Sequence, residues 1–309
     1  MKIFLINESP IERQWLSAAL EMSSEIDTIV CLEKGYELEV DEVSFTSALI
    51  IVTQEQFAGL RRQLSKSYAA TELPCPILIL SDSFDSFDVS GYRHLTLDAF
   101  PTHAITPQIL KYLLSTLRRD FRKDLRLKRL AHYDTLTSAT NRYLFSDRAK
   151  QAIASSKRQN EALAFMYFDL DKFKNINDKY GHNTGDEYLK KFVEIVSDNI
   201  RDTDTLGRLG GDEFALLMPK STLLVAEHKA QQVLKALSKK HTINQHELSI
   251  ATSIGIIAFD DGELLQDVDY KTLVGLADTA AFAAKNQGKH RYVISDKCMT
   301  KKQNEAIPV

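Results

Sequence analysis

The first 110 residues alternate short apolar runs with amphipathic stretches, which is the pattern of repeated βα units around a parallel sheet. Five of the apolar runs predict strands, at residues 2–6, 28–32, 48–52, 76–81 and 95–100. Between the first two strands, Ser9 is suited to cap a helix over residues 10–22, because Pro10 fits the first helical position. The hydrophobic pattern therefore predicts an α/β domain over residues 1–110.

Five strands within this length resemble a response-regulator receiver domain, which has a flavodoxin-like fold. Working receivers hold magnesium with acidic residues after the first strand, and they carry a phosphoacceptor aspartate after the third strand and a lysine after the fifth. The corresponding positions in this chain are Asn7 and Glu8, Thr53 and Thr102. A threonine hydroxyl is not ionised at neutral pH and cannot replace the carboxylate that forms an acyl phosphate. The resemblance therefore implies a degenerate receiver, and the two threonines argue against a regulator controlled by phosphorylation.

A second segment has helical periodicity from residue 105 to residue 132, and its residues 118–129 carry seven basic and two acidic side chains. Apolar residues recur along it at Leu110, Leu114, Leu117 and Phe121, and then in a narrow seam at Leu125, Leu127 and Leu130. Two interpretations are open, a solvated linker helix and a parallel dimer stalk whose contacts depend on Leu114, Leu117 and Phe121. We assign residues 111–133 to this helical linker or stalk.

From residue 134 to residue 309, strands and helices follow one another without regular alternation, which is typical of an α+β sheet with helices on one face. Strands are predicted at residues 163–168, 205–209, 214–218 and 248–259, and helices at residues 185–200, 223–239 and 270–286. Gly210 and Gly211 separate two of these strands. This pair can supply the positive φ angles that a two-residue hairpin turn requires.

Composition and charge narrow the class of protein. With 44% hydrophobic and 26% charged residues, the chain is composed like an ordinary globular protein, and its longest apolar runs are too short to cross a bilayer. The N-terminus lacks the pattern of a signal peptide, and the cysteines Cys31, Cys75 and Cys298 are too scattered for a disulfide framework. These features predict a cytoplasmic protein with no membrane span. The net charge of −3 argues against a nucleic-acid partner.

Four acidic residues stand where a strand ends and where the hairpin turns. Asp169 and Asp171 follow the strand predicted at residues 163–168, and Asp212 and Glu213 follow the glycine pair. Two acidic pairs held close together repel each other unless a cation screens them, so they indicate a site for a hard divalent ion and a phosphate-bearing substrate. Solvated turn residues would explain either pair taken alone.

The wider context separates these alternatives, because an ordered series of motifs surrounds the acidic residues. The series consists of Asp134-Thr-Leu-Thr137 with Asn141-Arg142, Phe168-Asp-Leu-Asp-Lys-Phe-Lys-Asn-Ile-Asn-Asp-Lys-Tyr-Gly-His182 with Gly185-Asp186, Arg208-Leu-Gly-Gly-Asp-Glu-Phe214, Ser253-Ile-Gly255, Ala277-Asp278, Ala284-Lys285 and Gly288-Lys289. Over about 160 residues the series closely resembles the GGDEF family of diguanylate cyclases. The resemblance implies a palm-like α+β fold and the condensation of two GTP molecules into cyclic di-GMP with release of pyrophosphate.

The resemblance also implies roles for the matching residues. A divalent cation, Mg²⁺ or Mn²⁺, would be held by Asp169, the backbone carbonyl of Leu170, Asp212 and Glu213. The catalytic groups would be Asp212 or Glu213, which assist deprotonation of the ribose 3′-hydroxyl, and Lys174, which steadies charge on the phosphoryl group. The substrate contacts would be Asn177, His182 and Asp186 on guanine, and Gly210, Gly211, Lys285 and Lys289 on the phosphates. Without the motifs, His182 would be a surface histidine, and the two lysines would be helix-end charges.

Arg201 and Asp204 form an RxxD pattern at the offset where many members of the family carry an inhibitory product site. A guanidinium and a carboxylate three residues apart can hold phosphate and guanine edges together. Because two GTP-bearing half-sites must meet, the resemblance also implies a homodimer. An alternative from another class of function is a non-catalytic sensor that binds GTP or cyclic di-GMP and signals through a partner.

Overall fold

The computed structural model describes residues 1–22, 26–39, 48–64, 75–83, 87–88, 92 and 96–298. The chain divides into two compact units, and the division falls between Lys128 and Arg129. None of the helices within the described ranges combines the length and the apolar composition that are needed to cross a bilayer.

The N-terminal unit contains a parallel sheet in the order β2-β1-β3-β4-β5, which is the doubly wound order of flavodoxin-like sheets. Its elements are β1 (Lys2–Ile6), α1 (Pro10–Glu21), β2 (Thr28–Leu32), β3 (Ala48–Thr53), α2 (Gln54–Leu64), β4 (Ile77–Ser81), β5 (Leu97–Pro101) and α3 (Pro107–His132). All five predicted strands are present, although the strand predicted at residues 95–100 begins outside the described residues. The helix predicted at residues 10–22 is α1, and α2 was not predicted.

Strands β1, β3 and β4 are apolar except for one terminal residue each, because both faces of the sheet are covered. Phe4 and Ile6 of β1 belong to one buried cluster, and Ile3 and Leu5, which point to the opposite face, belong to another. Near the ends of the strands, Asn7 Nδ2 donates to Glu12 at 2.8 Å, and Thr102 Oγ1 donates to the Ser81 carbonyl at 3.4 Å.

The first half of α3 is part of the N-terminal core, which corrects the predicted dimer seam. Leu113, Leu114 and Leu117 pack in the same buried cluster as Ile3 and Leu5, because α3 lies on that face of the sheet. The unit therefore continues through α3 to Lys128 and does not end at residue 110, where the predicted domain boundary lay. Phe121 is also buried, so the residues that were predicted to hold a dimer together contribute to the fold of one chain.

The second half of α3 has a different surface. Leu127 and Leu130 are 54% and 51% exposed, and basic side chains surround them. Leu127 and Leu130 belong to the narrow apolar seam that was predicted after Phe121. The function of this part of the helix as a linker or a stalk stays a prediction.

The C-terminal unit contains a six-stranded sheet in the order β13-β12-β7-β9-β8-β6. Its elements are β6 (Thr140–Asn141), α4 (Arg142–Gln159), β7 (Leu163–Leu170), α5 (Phe173–Tyr180), α6 (His182–Ser197), β8 (Thr205–Gly210), β9 (Glu213–Pro219), α7 (Leu223–Leu237), β10 (His241–Ile243), β11 (His246–Leu248), β12 (Thr252–Phe259), α8 (Tyr270–Asn286) and β13 (Tyr292–Ile294). The central strands β12, β7, β9 and β8 are antiparallel, and β13 and β6 add parallel edges. Strands β10 and β11 form a separate ribbon.

Several predicted bounds in this unit are wrong. The strand predicted at residues 248–259 is divided between β11 and β12, and the helix predicted at residues 185–200 is α6, which starts earlier and ends earlier. Helices α4 and α5 were not predicted. The hairpin turn is also displaced by one residue, because Gly210 pairs with Glu213 and leaves Gly211 and Asp212 as the two turn residues. Gly211 has a φ of 49°, which is the left-handed conformation that glycine adopts without strain.

Candidate active site

The end of β7 and the β8–β9 hairpin turn meet at one place. Asp169 lies opposite Glu213 in the antiparallel pairing of β7 with β9. The backbone N–H of Leu170 donates to the carbonyl of Asp212 at 3.2 Å, which fixes the turn against the strand. The structure therefore brings together the four residues that were predicted to hold a divalent cation.

Asp169 is the most constrained of these carboxylates. Its Oδ2 lies 2.5 Å from Nζ of Lys285 on α8, while its Oδ1 is buried and has no hydrogen-bond partner. Burial raises the pKa of Asp169, and the charges of Asp212 and Glu213 raise it further, although the Lys285 ammonium opposes both effects. One oxygen of this carboxylate is thus buried without a hydrogen-bond partner, while the other is paired with Lys285.

This unpaired oxygen decides whether a divalent cation fits the site. A buried polar oxygen without a partner is costly, and a cation would relieve both that cost and the repulsion among the three carboxylates. Hard cations such as Mg²⁺ prefer carboxylate and carbonyl oxygens, which is what Asp169, Asp212, Glu213 and Leu170 offer. Across the described residues, no three His, Cys, Asp or Glu side chains are already close enough to form a preassembled metal cage. The donor atoms of these four residues therefore fit the chemistry of a hard divalent cation.

Arg208 holds the hairpin turn in position. Its Nε and Nη2 donate to the carbonyl of Gly211 at 2.9 and 2.7 Å, and its Nη1 donates to Oδ1 of Asp134 at 3.0 Å. Burial alone would raise the pKa of Asp134, but hydrogen bonds from Thr137 and Arg208 hold it below its usual range. Asp134 therefore stays ionised and anchors the arginine. The motif series contained both residues, but only the structure shows that they hold the hairpin turn.

Tyr167 is a site residue that was not predicted. It precedes Asp169 by two positions on β7, so both side chains point to the same face of the sheet. Tyr167 is 5% exposed, and it is a diagonal neighbour of Glu213, because Tyr167 pairs with Ala215 and Asp169 pairs with Glu213. Burial and the nearby charge of Glu213 raise the pKa of Tyr167 far above its ordinary value. Only the two-residue spacing from Asp169 could have indicated this position in the sequence.

The predicted guanine contacts lie where α5 meets α6. Gly185 packs beneath Asn177 so closely that a Cβ at position 185 would lie 1.8 Å from Asn177 Oδ1. His182 and Asp186 are exposed and lie four residues apart, on one face of α6. Lys174 is exposed on α5, one turn before Asn177.

Asp171 does not join the other carboxylates, although the sequence paired it with Asp169. It is buried, and it accepts hydrogen bonds from Ser253 Oγ and from the backbone N–H of His290, both at 2.9 Å. It thus ties the end of β7 to β12 and to the turn after α8. That turn contains Lys289, whose φ is 65° and whose N–H donates to the Ala284 carbonyl at 3.1 Å.

Arg201 and Asp204 close a tight turn through two hydrogen bonds. The Arg201 N–H donates to Asp204 Oδ2 at 3.0 Å, and the Asp204 N–H donates to the Arg201 carbonyl at 2.9 Å. Burial raises the pKa of Asp204, and Arg201 and Lys229 oppose the rise. A cleft of about 460 Å³ beside the turn is lined by four basic residues, one acidic residue, Asp198, and uncharged neighbours; the basic residues are Arg201, Lys229, Lys235 and Lys239. This turn therefore borders a surface suited to anions.

Comparison with known families identifies the family of the C-terminal unit. The model of the family described as "Diguanylate cyclase, GGDEF domain" matches residues 131–291, which is more than half of the chain. The chain belongs to the GGDEF family. The GGDEF match covers all the candidate site residues, and it starts near the end of α3.

Several curated relatives of this GGDEF protein are named as diguanylate cyclases. The bifunctional diguanylate cyclase/cyclic di-GMP phosphodiesterase MucR of Pseudomonas aeruginosa is 37% identical over 187 residues, which are 60% of this chain and 27% of MucR. Diguanylate cyclase DosC of Escherichia coli is 36% identical over 162 residues, covering 51% of this chain and 34% of DosC. Diguanylate cyclase DgcS of Shewanella oneidensis is 30% identical over 191 residues, 62% of this chain and 60% of DgcS. The chain thus matches less than two thirds of the length of each relative.

Solved structures support the same fold. Diguanylate cyclase SiaD of Pseudomonas aeruginosa, in complex with its activator SiaC, is similar with a TM-score of 0.51 and 27% identity, over 61% of this chain and 74% of SiaD. The coiled coil and GGDEF domain of DgcB from Caulobacter crescentus, in complex with c-di-GMP, gives a TM-score of 0.52 at 22% identity, over 61% of this chain and 98% of DgcB. The DgcB likeness concerns the fold alone.

Proposed function

We propose that this GGDEF protein is an active diguanylate cyclase, which joins two GTP molecules into cyclic di-GMP and releases two pyrophosphates. One observation carries the proposal. The complete Gly210-Gly-Asp-Glu-Phe214 turn holds two carboxylates beside Asp169, whose buried Oδ1 lacks a partner. A non-catalytic sensor would not need to keep a carboxylate oxygen buried without a hydrogen-bond partner.

Each half of the reaction forms one phosphodiester bond. The ribose 3′-oxygen of one GTP attacks the α-phosphorus of the other, the bond to pyrophosphate breaks, and the 3′-hydroxyl proton passes to Asp212 or Glu213. A divalent cation, Mg²⁺ or Mn²⁺, held by Asp169, the Leu170 carbonyl, Asp212 and Glu213, would neutralise the charge that develops on the phosphate oxygens. Lys174 would offset further charge on the phosphoryl group.

The α5–α6 junction supports recognition of guanine. Asn177 offers an amide and Asp186 a carboxylate, which are the groups that read the donor and acceptor edge of a purine. His182 lies on the same face of α6 as Asp186. Gly211 allows phosphate to approach the turn, while Lys285 and Lys289 carry the outer positive charge. Lys285 can reach phosphate only by leaving Asp169, with which it is paired at 2.5 Å.

The reaction requires two GTP-bearing half-sites, so we infer a homodimer. The exposed Leu127 and Leu130 on the second half of α3 support a helix-to-helix contact there. The basic cleft beside Arg201 and Asp204 supports inhibition by the anionic product. Thr53 and Thr102 support an N-terminal unit that acts as a degenerate receiver and does not accept a phosphoryl group.

Incubation of the purified protein with GTP and Mg²⁺, followed by chromatography for cyclic di-GMP, tests the proposal. We expect product from the wild type and a loss of at least about 100-fold in Asp212→Ala, since a metal ligand is worth several kcal/mol in the transition state. Asp267→Ala removes an exposed carboxylate elsewhere in the same unit and serves as the matched control. A wild type that binds GTP but makes no cyclic di-GMP would favour the sensor alternative.

A further inference from the structure

A single glycine forms the α5–α6 junction. Gly181 lies between the two helices with a φ of 84°, and as the N-cap of α6 it lacks a side chain that could cap the first turn. A glycine permits more backbone conformations than other residues, so contacts around the junction have to select one of them. Asn177 lies before the junction and Asp186 after it. The distance between these two proposed guanine contacts therefore depends on what holds the junction.

Thr184, in the first turn of α6, supplies such a contact. It is 1% exposed, and its Oγ1 donates to the carbonyl of Tyr180, the last residue of α5, at 2.9 Å. The same hydroxyl accepts a hydrogen bond from Asn244 Nδ2 at 3.0 Å. One buried hydroxyl thus acts both as donor and as acceptor. It fastens the end of α5 to the start of α6, and it fastens both to the turn between β10 and β11.

The β10–β11 turn has a defined conformation. Its two central residues, Asn244 and Gln245, have φ angles of 46° and 68°, which is the left-handed pair of a two-residue hairpin turn. Ile243, just before the turn, is 2% exposed and belongs to the hydrophobic core of the unit. The ring of His246, just after it, lies 4.8 Å from the ring of Tyr180, measured between centroids. The turn therefore contacts the α5–α6 junction at two points and is itself anchored in the core.

We propose that Asn244 and Thr184 are positioning residues for guanine, through which the β10–β11 turn sets the placement of Asn177 relative to Asp186. This inference rests on the function proposed above. Hydrogen bonds to a base edge tolerate changes in length of only a few tenths of an ångström, so a small change in the angle between α5 and α6 weakens base recognition. The predicted metal ligands lie on β7 and on the β8–β9 hairpin, outside these two helices.

Four variants separate the hydroxyl contact from its surroundings. Thr184→Val removes the hydroxyl and keeps the size of the side chain, whereas Thr184→Ser keeps the hydroxyl. Asn244→Ala removes the donor from an exposed position. Thr242→Val is the matched control, because Thr242 lies on the same ribbon and its hydroxyl donates to Glu247 Oε1 within that ribbon, at 2.6 Å.

The measurement is the dissociation constant of GTP and of ITP, determined by calorimetry with Ca²⁺ in place of Mg²⁺. ITP lacks the exocyclic amino group of guanine and is otherwise the same nucleotide. Thr184→Val should weaken GTP binding about tenfold and ITP binding no more than about twofold, because only GTP carries the amino group that a carboxylate at the base edge can read. Asn244→Ala should change the binding in the same direction by about fivefold. Thr184→Ser and Thr242→Val should bind both nucleotides like the wild type.

The ratio of the two dissociation constants distinguishes positioning from a general loss of structure, which would weaken GTP and ITP binding by the same factor. Equal losses would overturn the proposal, and so would a wild-type preference for GTP in Thr184→Val or Asn244→Ala. If Thr184→Val does not fold, Asn244→Ala decides the question. A wild type that binds both nucleotides equally would also overturn the positioning role. If the variants lose a preference that the wild type has, but the wild type makes no cyclic di-GMP with Mg²⁺, the proposed function fails and the positioning role stands.

Discussion

Replacement of Gly185 by alanine should damage GTP recognition without damaging the fold. The added Cβ would lie 1.8 Å from Asn177 Oδ1 and 3.0 Å from Asn177 Cγ, and real Cβ atoms essentially never approach closer than 3.0 Å. The amide oxygen must therefore move by roughly 1.2 Å, which is enough to lose a hydrogen bond whose length varies by only a few tenths of an ångström. The Phe173 ring lies 3.4 Å from the same Cβ and limits where the amide can go.

The size of the effect follows from what the amide contributes. A well-oriented amide contact to a purine edge is worth about 1–3 kcal/mol, so KM for GTP should rise roughly 5- to 150-fold. The fold should survive, because alanine favours a helix over glycine by about 1 kcal/mol and offsets part of the strain. The rate at saturating GTP should change much less, since Asp169, Asp212 and Glu213 are untouched.

Steady-state kinetics at saturating Mg²⁺ give KM and the maximal rate for this variant. Gly275→Ala is the matched control, because it is also a helical glycine, on α8, and a Cβ there would meet no atom within 4 Å. Discrimination between GTP and ATP should also fall in Gly185→Ala alone. A Gly185→Ala enzyme with a KM within about twofold of wild type would refute the placement of guanine against Asn177.

Three further predictions concern charge, inhibition and packing. Asp169→Asn should abolish synthesis. It should also raise the unfolding temperature of the metal-free protein at pH 7, because the folded state raises the pKa of Asp169 and the ionised carboxylate therefore destabilises the fold. Thermal melts should show that this gain in stability disappears as the pH falls below the ordinary aspartate pKa, near 4. Arg201→Ala should leave the initial rate unchanged and weaken inhibition by added cyclic di-GMP about tenfold or more; equal inhibition curves would remove the RxxD pair from regulation. Leu117→Lys should destabilise the N-terminal unit by on the order of 3 kcal/mol, because Leu117 is buried. Leu127 is exposed, so Leu127→Lys should leave the denaturation midpoint unchanged. Sedimentation should instead show that Leu127→Lys weakens the inferred dimer.

The sequence was informative where burial imposes a pattern along the chain. Strands β1, β3 and β4 were predicted because a strand that is covered on both faces has a continuous apolar run. Helix α5 was missed because it is short and its described residues include none that is fully buried. Periodicity also identified the apolar face of α3 correctly, but periodicity cannot tell whether a sheet or a second helix covers that face. The sheet covers Leu113, Leu114 and Leu117.

The site residues also differ in whether a local sequence pattern or the pairing of strands reveals them. The motif series contained the residues around Asp169 and Asp212, because their order along the chain is distinctive. Tyr167 could not be predicted as a site residue, because a tyrosine within an apolar strand is ordinarily a core residue. Only the register of β7 against β9 places it near Glu213. Asp171 was assigned to the acidic group from its spacing alone, although the partner that explains it, Ser253, lies 82 residues away.

The contact of Arg208 with Asp134 joins the hairpin turn to the segment that follows α3. Asp134 follows the last turn of α3 by two residues, and the end of α3 is held by Asn141, whose Nδ2 donates to the Ala131 carbonyl at 2.8 Å. The Arg208 guanidinium contacts both Asp134 and the Gly211 carbonyl. A residue 74 positions before Arg208 in the chain therefore helps to hold the turn that carries Asp212.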